Sequence, residues 1–97
     1  MEIRQTKVYA KWYGDLPNAA RGRIDARIFR VQHTGHFGDA KPVGESVSEM
    51  RVDHGPGYRI YFACHGNAVV LLLCGGDKGS QRRDIARAKK LAQEYFE

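Results

Sequence analysis

The chain has 97 residues, 42% of them hydrophobic, which is enough for one compact domain (residues 1–97) with a real core and too few for two domains. Its net charge of +5 favours either simple solubility or a polyanionic partner, namely nucleic acid or an acidic protein. No apolar run approaches the roughly 18 residues of a transmembrane helix, and the start lacks a signal-peptide core. We therefore expect a cytoplasmic protein without membrane contact.

The N-terminal third reads as a short strand followed by two helices. Glu2–Thr6 can form the strand, Thr6 can cap the first helix, and Pro17 suits the first turn of the second helix. Apolar residues at helical spacing predict the buried stripes, which are Tyr9, Trp12, Tyr13 and Leu16 in the first helix and Ala20, Ile24, Ile28 and Val31 in the second. Arg23, Arg27 and Arg30 form a neighbouring stripe that is either solvated or a contact surface for an acidic partner.

Residues 33–42 (HTGHFGDAKP) predict a polar loop. The spacing of His33, His36 and Asp39 matches no zinc signature, and no cysteine pair accompanies these residues. We expect neither a metal nor another cofactor.

Two alternating segments predict an antiparallel hairpin, residues 46–53 and 58–65 joined by a turn at 53–57. In the second segment Tyr58, Ile60, Phe62 and Cys64 share the predicted core face. Arg59, Tyr61, Ala63 and His65 point the other way, and Arg51 is expected beside Arg59 on that open face. Two arginines so close are unfavourable unless something anionic binds between them.

The last third predicts a buried strand and a basic helix. Gly66-Asn67 is a two-residue turn signal, residues 69–74 form an apolar run typical of a central strand, and Gly75-Gly76 should end it. Cys64 and Cys74 fall within apolar patterns and are expected to be buried, reduced thiols. The closing helix, from about Ser80 to Glu97, has a predicted buried stripe of Ile85, Ala88, Ala92 and Tyr95 and a basic stripe of Arg83, Arg87 and Lys90.

The order of these elements, with the segments GESVSEMR (44–51), GYRIYF (57–62) and LLCGGDK (72–78), resembles the RelE/ParE superfamily over nearly the whole chain. The closest branch is the HigB-like addiction module killer toxins. The resemblance implies an α+β, RelE-like fold: a small, mostly antiparallel sheet of about four strands with two N-terminal helices and a C-terminal helix.

The resemblance also implies a function. Many members are ribosome-dependent mRNA endonucleases, each neutralised by an antitoxin encoded beside it, whereas the ParE branch poisons DNA gyrase. We therefore expect a type II toxin that is a metal-independent RNA endonuclease acting on mRNA at the ribosome. Its partner would be a helix-turn-helix antitoxin from the neighbouring gene. The alternatives are a gyrase-poisoning toxin without nuclease activity and a non-toxic nucleic-acid-binding module.

Site residues follow from the same resemblance. Arg59 matches the strand arginine that contacts the scissile phosphate, while Arg51 and Lys78 match further basic positions. The catalytic tyrosine that RelE-like enzymes can carry at the start of the last helix has no counterpart in residues 80–84 (SQRRD), so the general base stays open.

The residues themselves suggest the remaining roles. Tyr61 could stack a base or donate a proton, and His54 or His65 could serve as base or acid. We expect Lys41, Arg82, Arg83 and His65 to bind RNA. The alternative for Arg59 is a structural cross-strand pair with Glu49.

Overall fold

The computed structural model describes residues 1–96 and consists of a five-stranded sheet with two helices on one face and one on the other. The strands are β1 (Glu2–Gln5), β2 (Ala40–Gly44), β3 (Val47–Val52), β4 (Tyr58–His65) and β5 (Val69–Asp77). The helices are α1 (Lys7–Gly14), α2 (Asn18–Thr34) and α3 (Gln81–Phe96), and a short 3₁₀ turn (Lys78–Ser80) precedes α3. Glu97, which the sequence places in the last helix, lies outside the described residues.

The sheet has the strand order β1-β5-β4-β3-β2. Among the strands of residues 1–96 only the β1–β5 pair is parallel, so the predicted mostly antiparallel sheet is confirmed. The strand that raises the predicted number from about four to five is β2, which begins inside the segment predicted as a loop. Pro42 argues against a strand in the sequence, because proline has no backbone N–H to donate. However, β2 is an edge strand, where a missing backbone N–H is tolerated.

Helices α1 and α2 cover one face of the sheet. Thr6 caps α1 as predicted, since its side-chain oxygen accepts a hydrogen bond from the backbone N–H of Tyr9 at 3.0 Å. The predicted stripes of both helices pack on the predicted core face of the hairpin, around Ile60 and Phe62. Burying these apolar side chains is the main force that holds the helix pair against the sheet.

Helix α3 covers much of the opposite face, which was predicted to be open. Tyr61 and Ala63 are buried there with Leu71, Leu73 and Cys74 beneath the Ala88–Ala92 side of α3. The expected end of β5 at Gly75-Gly76 is also wrong, because the strand continues to Asp77. A Cβ atom at Gly75 would overlap the Trp12 ring, and one at Gly76 would overlap the Asp84 carboxylate. These glycines therefore make room for packing rather than a turn.

Three smaller predictions at the far end of the sheet are also corrected. The β4–β5 connection has three residues rather than two, because His65 pairs with Val69. Cys64 is exposed near the end of β4, whereas Cys74 is buried as predicted. Tyr95 is half exposed because it lies beyond the part of α3 that packs on the sheet. Within residues 1–96, no helix has the length and apolar character needed to cross a membrane.

Candidate functional site

A row of polar residues crosses the sheet at the end where α3 begins. Arg51 and Arg59 are direct partners in the β3–β4 register, so the predicted hairpin and the pairing of these arginines are confirmed. On one side Arg59 pairs with Gly76 of β5, and on the other the Arg51 backbone N–H donates to the Asp39 carbonyl at 2.8 Å. Asp39, Arg51, Arg59 and Gly76 are called the arginine row below. The row places two guanidinium groups on neighbouring strands, on the α3 side of the sheet.

A buried carboxylate lies one step along the strands from this row. Glu49 is fully buried, and its Oε2 accepts hydrogen bonds from the Tyr61 hydroxyl at 3.2 Å and from Gln81 Nε2 at 2.8 Å. The same oxygen lies 3.7 Å from Arg59 Nε, as an ion pair in which the Arg59 side chain is only 11% exposed. These four residues are called the glutamate network. The alternative considered for Arg59, a cross-strand pair with Glu49, is therefore observed.

Three polar atoms around the network are buried without a hydrogen-bond partner among the described residues: Glu49 Oε1, Arg51 Nε and Arg59 Nε. Buried polar groups are normally satisfied, because leaving one unpaired costs stability. The three atoms lie on adjacent strands, so polar groups that the fold itself does not pair are concentrated at this site.

The start of α3 is joined closely to the arginine row. Asp77 caps the 3₁₀ turn by accepting hydrogen bonds from the backbone N–H groups of Gly79 and Ser80. The Ser80 hydroxyl then donates to the buried Asp84 carboxylate, which occupies the space left by the missing side chain of Gly76. The Asp84 carboxylate is therefore a second buried acid beside the row, and it lies against Gly76, where any side chain would overlap it.

Arg27 contacts the row from helix α2, which packs on the face of the sheet opposite α3. Its guanidinium donates hydrogen bonds to the Arg51 carbonyl and to the Phe37 carbonyl, the latter at 2.7 Å. Burial lowers the pKa of Arg27 from its ordinary value. The predicted stripe is therefore split: Arg23 and Arg30 are exposed, whereas Arg27 clamps the loop that leads into β2.

The exposed cations near the row are those predicted to bind RNA or phosphate. Lys78, Arg82 and Arg83 are exposed where the 3₁₀ turn meets α3, and Lys41 is exposed on β2 opposite Glu49. Arg51 is 41% exposed and pairs with Asp39 across 3.2 Å. Guanidinium groups donate in a planar fork that matches phosphate oxygens, so this surface can bind a phosphodiester. Among residues 1–96, no group of three or more metal-ligating side chains is close enough to hold a metal ion.

Three predicted site residues do not join this surface. Tyr61 is fully buried, and burial together with Glu49 raises the pKa of its hydroxyl, so it cannot stack a base in this arrangement. The His54 ring stacks on Tyr58, whose side chain packs toward α1, and so His54 lies on the other side of the sheet from Arg59. His65 stacks on Phe96 at the far end of β4, six residues from Arg59 and about 20 Å along the strand.

The residues that the sequence analysis did not place in the site are Gln81 and Asp84. Gln81 lies in the segment where a tyrosine was sought, and only the fold shows that its amide reaches across to Glu49. Asp84 lies in the first turn of α3, where an acidic residue is expected simply because it complements the helix dipole. The signal that could have found it is the glycine pair in β5, because a glycine inside a buried strand often marks the close approach of another group.

Comparison with known proteins gives one family match and several similar structures. Residues 11–96 match the family described as "Phage derived protein Gp49-like (DUF891)". A protein of Haemophilus influenzae, described as "Uncharacterized protein", is 45% identical over 95 residues, which cover 97% of this chain and 95% of that one.

The similar structures are RelE toxins. An Escherichia coli RelE mutant in the free state has a TM-score of 0.76 and 15% identity, covering 92% of this chain and 94% of that one. RelE in a RelB-RelE antitoxin-toxin complex from Methanococcus jannaschii has a TM-score of 0.66 and 19% identity, and the match covers 84% of this chain and 96% of that one. These similarities confirm the predicted RelE-like α+β fold.

Proposed function

The chain belongs to the family of phage-derived Gp49-like proteins, and from this membership and its RelE-like fold we propose that it is the toxin of a type II toxin–antitoxin system. The cognate partner is then an antitoxin, for which we keep the prediction of a helix-turn-helix protein encoded in the neighbouring gene. Solved relatives that are toxin–antitoxin complexes support such a partner. The assignment to the HigB-like branch also remains a prediction.

The proposed activity is cleavage of mRNA on the ribosome, in the cytoplasm and without a metal. RNA cleavage by the neighbouring 2′-hydroxyl passes through a pentacovalent phosphorane whose added negative charge must be stabilised. The observation that supports this activity is the arginine row, which places Arg51 and Arg59 side by side with Arg59 held by a buried carboxylate. Lys78 and Lys41 are exposed nearby and would draw the RNA backbone toward the row.

The gyrase-poisoning alternative is favoured by one observation. Neither His54 nor His65 reaches the arginine row, and the Tyr61 hydroxyl is buried, so none of the three predicted proton-transfer groups lies at the surface beside Arg59. An enzyme with this site would stabilise the transition state by charge, and the proton transfers would need a group supplied by another molecule, such as the ribosome. A gyrase inhibitor would need no proton transfer at all.

Induced expression followed by mapping of transcript ends tests the proposal. We expect new 5′ ends inside translated messages, and we expect them to disappear from a message whose start codon is removed. Growth arrest with intact messages and DNA damage would replace this activity with gyrase poisoning. Normal growth would favour the non-toxic nucleic-acid-binding module.

The matched pair of variants for the same assay is Arg59→Lys and Arg23→Lys. Arg59→Lys keeps the positive charge beside Glu49 but removes the planar fork, and so we expect cleavage to fall at least about tenfold. Arg23 is exposed on α2, on the far side of the sheet, and the same substitution there should leave cleavage unchanged. Equal activity of both variants would remove Arg59 from the site.

A further inference from the structure

We propose that Glu49 is a positioning residue for the reaction, acting through Arg59, and this inference rests on the proposed RNA cleavage. The glutamate network provides the reason. A fully buried carboxylate cannot touch RNA, yet three side chains, two from β4 and one from α3, are directed at one of its oxygens.

The geometry at Arg59 shows what Glu49 would do. The ion pair is made by Arg59 Nε, the nitrogen nearest the backbone, at 3.7 Å. Holding the side chain at this point restricts its torsions while leaving the two terminal nitrogens able to meet a phosphate. Such pre-organisation lowers the entropy that the guanidinium must lose when the transition state forms.

Tyr61 and Gln81 complete the arrangement by fixing the carboxylate itself. Tyr61 belongs to the same strand as Arg59, while Gln81 is the first residue of α3, and so Glu49 is held from both the sheet and the helix. Because both donors contact the oxygen that faces Arg59, they set its direction. Tyr61, predicted to touch RNA, would instead act on it through two intervening residues, Glu49 and Arg59.

The direct test is Glu49→Gln, with Glu45→Gln as the matched control. The amide keeps the shape of the side chain and an oxygen for Tyr61 and Gln81 but removes the charge that holds Arg59. We expect kcat for cleavage of a programmed ribosomal complex to fall about 10- to 100-fold while KM changes less than about threefold. Glu45 is exposed in the β2–β3 turn, and its substitution should alter neither constant.

Two further measurements separate positioning from a merely structural role. Hydrogen exchange at Arg59 Nε, followed by NMR, should be slow in the wild type, because this atom is buried, and should quicken in Glu49→Gln. If Glu49→Gln does not fold, Tyr61→Phe takes its place, because it removes one hydrogen bond to Glu49 and should lower kcat about 3- to 10-fold. A loss of kcat that matches the unfolded fraction at every temperature would show a structural role and overturn the proposal.

The outcomes distinguish this inference from the proposed function. If the wild type cleaves and Glu49→Gln cleaves equally well, the positioning role is wrong and the nuclease stands. If the wild type cleaves nothing, the nuclease is wrong, and the Arg59 exchange rate alone decides whether Glu49 orients the guanidinium. An exchange rate unchanged in Glu49→Gln overturns the inference in either case.

Discussion

Replacing Arg59 with alanine should destabilise the protein by about 3 kcal/mol, because it would leave the Glu49 carboxylate buried without a cation. Breaking a buried ion pair by removing one partner typically costs about 3–5 kcal/mol. The lower end applies, since Tyr61 and Gln81 would still donate to the carboxylate and the Arg59 side chain is already 11% exposed. This loss is a large part of the roughly 5–15 kcal/mol that stabilises a domain.

Urea unfolding followed by tryptophan fluorescence measures the loss. Trp12 is the single tryptophan, and its ring packs over Gly75 in the core between the sheet and helices α1 and α2, so its emission should report global unfolding. With a urea dependence of about 1.5 kcal/mol per molar, a loss of about 3 kcal/mol lowers the midpoint by about 2 M. A toxicity assay of Arg59→Ala would therefore confuse misfolding with loss of function, and Arg59→Lys is the better functional variant.

A double-mutant cycle identifies the cause of the loss. In a Glu49→Gln background the buried charge that pairs with Arg59 is gone, so Arg59→Ala should cost only about 1 kcal/mol. The two substitutions should then be coupled by about 2 kcal/mol. Additive effects would refute the reasoning, because they would mean that Arg59 stabilises the fold through packing alone.

Three further predictions concern pH, packing and metal. Burial raises the pKa of Cys74 from about 9 to about 12. A thiol whose pKa is higher in the folded state contributes its full stabilisation below the unfolded pKa and loses it as the pH rises to the folded pKa. The free energy of unfolding should therefore decline from about pH 9 to pH 12, and it should decline less steeply in Cys74→Ala. Gly76→Ala should be strongly destabilising in thermal melts because its Cβ would overlap the Asp84 carboxylate, whereas Gly22→Ala, in open space on α2, should be neutral or stabilising. Removing metal from the toxin with EDTA before assay should leave cleavage intact, provided that ribosomal magnesium is restored; a loss restored only by another metal would contradict the metal-free mechanism.

The hairpin and the helix pair could be predicted because local patterns determine them. In α2, Ala20, Ile24 and Val31 recur at helical spacing, and all three are buried. In β3 and β4, period-2 alternation together with the intervening turn determines the register, which placed Arg51 opposite Arg59 correctly.

The covering of the second sheet face could not be predicted, because it depends on a tertiary contact. The sequence Arg59-Ile60-Tyr61 alternates as a strand with one solvated face would, yet α3 closes over Tyr61. A polar side chain can be buried when a distant residue pairs with it, and Glu49 accepts a hydrogen bond from Tyr61 and forms an ion pair with Arg59. Placement of His54 and His65 failed for a related reason, since proximity along the chain does not indicate which side or end of a sheet a residue occupies.

The two arginines of the row differ in a way that yields a last prediction. Arg59 is paired with a buried carboxylate, which a ligand cannot displace, whereas Arg51 is paired with Asp39, whose side chain is 62% exposed. An arriving phosphate must compete with Asp39 for Arg51, and an exposed pair of this kind is worth about 0.2–1 kcal/mol. Asp39→Asn should therefore tighten binding of a short single-stranded RNA by up to about fivefold at low salt, with a smaller gain at high salt.

Asp53→Asn, at an exposed position in the β3–β4 turn, is the control. Affinity that rises equally in both variants would show a general effect of net charge, and an unchanged affinity in Asp39→Asn would mean that the phosphate does not bind at Arg51.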